Sequence, residues 1–80
     1  MAETTRRQVN RAEAQLAVYA AGRALGIAID VDQLRAIAEL THTIDDVNTV
    51  VDRLVSAKRA NPGSPDVRAV VRALQAAQQG

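Results

Sequence analysis

The interior of this chain has to be assembled from aliphatic side chains alone. The 80 residues hold one tyrosine and no phenylalanine, tryptophan or cysteine, although 48% of them are hydrophobic. Aromatic side chains usually supply much of a small core, each burying roughly 150–250 Å². Here twenty Val, Leu and Ile residues and sixteen alanines must fill it instead. Small domains already bury a smaller share of their surface than large ones, so a core of short side chains in a chain this size is thin. Such a fold gains from anything that binds only its folded state, a partner protein or a second copy included.

The length allows one domain, spanning 1–80, with 1–4 and 78–80 expected to fray. Without cysteine there is no disulfide framework and no thiolate metal site, which fits a reducing, cytoplasmic setting. Charged residues make up 24%, close to the globular average, so wholesale disorder is not expected. The net charge of +1 hides a segregation. Residues 1–29 carry +2, residues 30–52 carry −5 and residues 53–80 carry +4. Two basic ends flanking an acidic middle suggest complementarity within the fold or between subunits. Nine arginines against one lysine, with abundant alanine, point to a GC-rich coding sequence. Arg6, Arg7 and Arg11 ahead of the apolar stretch from Leu16 faintly resemble a signal peptide, but Glu13, Gln15 and Arg23 interrupt it. Leu16 to Ile29 is also too short for a membrane span, so no membrane association is expected.

The punctuation predicts an all-α domain of four helices. The first is expected from about Thr5 to Leu25, with Val9, Ala12, Leu16, Ala20 and Ala24 on one face and Gly26 as the C-terminal cap. Asp30 is placed to cap a short second helix, with Gln33 bonding back and Leu34, Ile37 and Ala38 buried, ending near Leu40. Thr41-His42-Thr43 forms a break. Thr43 is expected to cap a third helix, with Asp45 and Asp46 at its positive end, Lys58 and Arg59 at its negative end, and Ile44, Val47, Val51, Leu54 and Val55 inward, Val50 alongside. Asn61-Pro62-Gly63-Ser64-Pro65 is the strongest turn, with Ser64 expected to cap a fourth helix and Pro65 to open it. That helix should pack Val67, Val70, Val71, Leu74 and Ala77 inward and pair antiparallel with the third.

The first helix is more apolar than one face requires. Ala14, Val18, Ala21 and Leu25 form a second stripe beside the first, and Arg23 is the only charge between Leu16 and Ala28. Either the helix is buried centrally, or one stripe faces the domain and the other faces another chain. Gly22 and Gly26 would allow close approach, and an interior glycine such as Gly22 invites a packing explanation. Tyr19 is read as a core-edge residue with its hydroxyl in water, or as an interface anchor.

No catalytic constellation is present. His42 is the sole histidine, and Asp45 and Asp46 beside it point about 100° apart on a helix, so they do not converge on one ion. Ser64 is accounted for by capping and Ser56 by an exposed position, and no glycine-rich phosphate loop follows a strand. The chain is therefore not expected to be an enzyme, and no cofactor, metal or small-molecule substrate is expected.

Ile37-Ala38-Glu39-Leu40-Thr41 resembles the first helix of a helix-turn-helix, with alanine at the close-packed position. The resemblance covers about twenty residues and implies a small DNA-binding regulator. It departs from the motif at His42, where glycine is usual, and at Asn48, where an apolar residue belongs. Its second helix opens with carboxylates, which repel phosphates. The candidate nucleic-acid contacts are instead Arg6, Arg7 and Arg11 at the start, with Arg7 and Arg11 on one helical face, and Arg68 and Arg72 near the end. The leading expectation is a non-enzymatic helical interaction module: a small adaptor, assembly or regulatory subunit. It self-associates or docks on a larger protein through Leu16, Tyr19, Ala20 and Arg23.

Overall fold

The computed structural model describes residues 7–79, the last by its backbone alone. These residues form four helices and no strand: α1 (Arg11–Leu25), α2 (Val31–Glu39), α3 (Ile44–Ala60) and α4 (Val67–Gln79). None is long and apolar enough to cross a membrane.

Each helix begins where a side chain satisfies its first free amides. Asn10 Oδ1 accepts from the Glu13 amide at 2.8 Å, and Glu13 Oε1 accepts from the Asn10 amide at 3.0 Å. This reciprocal cap moves the start of α1 from the expected Thr5 to Arg11; Thr5 itself lies outside the described residues. Asparagine competes poorly inside a helix and well at its start. Residues 7–9 are extended instead and pair with the turn before α3. The Val9 amide donates to the His42 carbonyl at 2.9 Å, and the Arg7 carbonyl accepts from the Ile44 amide at 3.1 Å. The chain ahead of α1 thus satisfies an orphan amide of α3.

Asp30 and Gln33 cap α2 reciprocally and Thr43 caps α3, both as expected; Asp46 also bonds back to the Thr43 amide, which makes that cap reciprocal too. Asp46 Oδ2 additionally accepts from the His42 amide at 2.8 Å. The cap of α4 differs from expectation. Asp66, not Ser64, accepts from the amide three residues on, Ala69, at 3.0 Å, so Pro65 precedes the helix rather than opening it. A carboxylate is the stronger acceptor at a helix N-terminus, while the Ser64 amide closes the turn onto the Asn61 carbonyl.

The helices close into a ring in which each packs on two others: α1 on α2 and α3, and α4 on α2 and α3. Two contacts and the short turn before α4 give their directions. Arg11 at the start of α1 lies 3.5 Å from Glu39 at the end of α2, so these two run antiparallel. The Gln78 side-chain amide Nε2, in the last turn of α4, donates to the Leu40 carbonyl, just before α3, at 3.2 Å. Because α4 begins across a short turn from the end of α3, those two are antiparallel as well. The radius of gyration of 12.0 Å is close to the roughly 11.6 Å expected of a closed domain of this length.

Val18, Ile27, Ile37, Val50, Leu54, Val67, Val70 and Leu74 make one buried cluster, with Ala14 and Ala38 also buried. Val50 lies deepest with Leu54 on α3, whereas Val51, assigned to the inner face, is half-buried, and Ala77 on α4 is exposed. Thr41 is the one buried polar residue among those described; its hydroxyl donates to the Ile37 carbonyl at 2.7 Å, so burial leaves no unmet hydrogen bond.

Candidate protein-binding face on the first helix

Helix α1 turns the stripe of Ala14, Val18 and Gly22 into the core, with Ala21 and Leu25 packed at its edge. The stripe of Ala12, Leu16, Ala20 and Ala24 faces solvent. Val9, expected on that same stripe, lies instead in the segment ahead of α1, and central burial of the whole helix is overturned. Both stripes repeat at helical spacing, and periodicity cannot tell which of two apolar faces meets the rest of the chain. The inner one is selected by the connection after Leu25. Gly26 adopts the left-handed conformation at φ 69°. The Ile27 amide then reaches back to the Gly22 carbonyl at 2.8 Å and the Gly26 amide to Arg23 at 3.2 Å. This folds Ile27 and Ile29 over the Gly22 side of the helix. A Cβ on Gly22 would lie 2.8 Å from Ile29 Cδ1 and 3.3 Å from the Ile27 carbonyl oxygen. Gly22 thus allows close approach within the chain, not between chains.

The outward residues singled out from the sequence, Leu16, Tyr19, Ala20 and Arg23, share one exposed face. Leu16 is 68% exposed and Tyr19 51%. The Arg23 guanidinium carbon sits 5.9 Å from the centre of the Tyr19 ring, a cation–π distance. Beside Leu16 an open groove of about 320 Å³ runs between α1 and the start of α3. Its apolar lining comes from Val9, Leu16, Ala17, Ala20, Ile44 and Val47, with Arg7 and Glu13 at the rim. Val9, Ile44 and Val47 were not anticipated here. Their presence follows from the extended residues 7–9 lying on the α3 start, which nothing short of the tertiary pairing reveals.

The basic candidates are not gathered. Arg6 lies outside the described residues. Arg7 is not helical, so it does not share a helical face with Arg11; it approaches Glu13 at 3.8 Å, and Arg11 turns to Glu39. Arg68 lines a shallow depression with Asp30, Asp32 and Gln33 at the opposite end of α2 from Glu39. Arg72 lies nearby, in a polar recess shared with Arg68 and Asp66. The Arg11–Glu39 pair joins the basic start to the acidic middle, but it is exposed and contributes little. His42 is exposed, and its backbone rather than its ring makes the structural contacts, to Val9 and Asp46. Among the described residues no group of His, Cys, Asp or Glu could hold a metal ion.

No protein-family model, curated protein sequence or solved structure matches this chain. Its function has to be argued from these surfaces.

Proposed function

We propose that the chain is a non-enzymatic helical interaction module, a small adaptor, assembly or regulatory subunit, whose binding element is the outer face of α1. One observation carries this reading: Leu16, 68% exposed, stands at the middle of an apolar helix face that the domain itself does not cover. The adjoining groove extends that face onto α3. An apolar helix face beside a groove is a recurrent mode of protein recognition. Charge is sparse at its centre and found at its edges, the usual anatomy of an interface. The candidate nucleic-acid contacts among the described residues, Arg7 and Arg11 at one end of α2 and Arg68 and Arg72 at the other, offer no comparable continuous surface.

The test is Ala20→Glu, compared with Gln75→Glu on the exposed side of α4. Glutamate is a good helix former, so both variants should keep the wild-type far-UV circular dichroism. Ala20→Glu should lower association, read as molar mass by light scattering across a concentration series, or as loss of co-purifying proteins from the source cells. Gln75→Glu should change neither. If Ala20→Glu leaves both readouts as they are in the wild type, the face is not the binding element.

A further inference from the structure

We infer that the α1 face takes a second copy of this chain, running antiparallel about a two-fold axis level with Val18. This rests on the binding-face reading above and adds the identity and direction of the occupant. The first argument is charge. Along the outward side of α1 the ionised side chains are Glu13 and Arg23, both exposed, five residues before and five after Val18. Arg11 is turned away to Glu39 on α2. An antiparallel two-fold at Val18 sets each Glu13 against the other copy's Arg23, twice in one interface. A parallel pair would set Glu13 on Glu13 and Arg23 on Arg23, and like charges in register disfavour it. Glu13 already accepts from the Asn10 amide and lies 3.8 Å from Arg7. A carboxylate has about four acceptor sites, so it retains capacity for a second cation.

The second argument is shape. The same operation places Leu16 over the other copy's Ala20, and Ala12 over Ala24. A large side chain meets a small one at the centre, and small meets small at the ends, which lets the two backbones approach. The groove lined by Ala17, Ala20, Ile44 and Val47 then receives the incoming Leu16. A projecting residue and its receiving groove on one surface are what a two-fold, isologous interface requires. Burying Leu16 and Tyr19 in this way adds apolar area to a fold whose own core contains no aromatic residue.

The chain has no cysteine, so single introduced cysteines report direction cleanly. Ala12→Cys and Ala24→Cys change exposed alanines on the same face. In the antiparallel pair position 12 meets position 24 of the other copy. The two copies of either position are about 18 Å apart along the helix, far beyond the roughly 7 Å that a disulfide tolerates between Cα atoms. Mixing the two full-length variants, one carrying a mass tag, under mild oxidation should give the mixed disulfide in about tenfold excess over either homodimer. Arg23→Glu should weaken wild-type self-association by about tenfold, with Glu13→Gln acting more weakly because the amide oxygen still serves the cap. Far-UV circular dichroism checks that each variant is folded.

Homodimeric disulfides in place of the mixed one would overturn the antiparallel arrangement while leaving the binding face intact. A wild-type chain that stays monomeric at all concentrations, with no disulfide from either variant, would overturn the second copy as occupant. The binding-face reading would then stand or fall on whether Ala20→Glu removes a co-purifying protein.

Discussion

The two faces of α1 are close in composition and opposite in fate. The inner face offers Ala14, Val18 and Gly22, all buried; the outer offers Ala12, Leu16, Ala20 and Ala24, all exposed. Each side has one leucine, Leu25 packed at the edge of the core and Leu16 left in water. Side-chain size therefore does not decide burial here. The connection does: Ile27 and Ile29 can fold back only across a position without a Cβ, and Gly22 supplies it. A leucine on the outward side is then surplus to the domain's own packing, which is why we assign it to an interface.

The largest expected effect comes from placing a charge on the inner face. Val18→Asp puts an unpaired carboxylate at a site 1% exposed. Its cost, about 3–5 kcal/mol, is comparable to the whole stability of a domain this size, about 4–12 kcal/mol. The variant should show far-UV circular dichroism of a largely unfolded chain. Next comes Gly22→Val, whose added methyl groups meet Ile29 and the Ile27 carbonyl; overpacking of this kind costs about 1–3 kcal/mol. Urea titration should show the transition midpoint falling, and an unchanged midpoint would mean that the loop does not seat against the helix as described. Asn10→Ala removes the reciprocal cap with Glu13 and should cost about 1 kcal/mol. Hydrogen exchange should then quicken in the first turn of α1 more than in its last. The smallest effect on stability is expected on the outer face. Leu16→Asp should shift the monomer's unfolding free energy by no more than about 0.5 kcal/mol while abolishing association. If Leu16→Asp destabilised the monomer as much as Val18→Asp, the contrast between the faces would collapse.

Much of the fold was legible because caps act locally. Asp30 with Gln33, and Thr43 with Asp46, each bring donor and acceptor together within one turn, so neighbouring residues suffice to place them. The same chemistry at Asn10 and Glu13 was equally readable in principle, as an Asn followed three residues later by Glu. It was overridden by the apolar period running through Val9. At the start of α4 the cap falls on Asp66 rather than the expected Ser64, and only the bond to the Ala69 amide places it there. Leu16, Tyr19, Ala20 and Arg23, the interface residues proposed from an ambiguous sequence pattern, all lie exposed. The groove beside them was not legible at all, since Val9, Ile44 and Val47 are brought together across more than thirty residues.

The sequence by itself determined the helical class, the number of helices and the helix ends at Gly26, Asp30 and Thr43. It did so because capping, turn chemistry and helical period are set by residues within a turn or two of one another. Only the tertiary structure decided which side of α1 meets the core, that residues 7–9 lie along the start of α3, and that Gln78 ties the last helix to Leu40. Those outcomes depend on contacts between segments far apart in the chain. The first turned on a clash that a single Cβ at Gly22 would create, and a clash has no signature in the order of residues until the chain has folded back on itself.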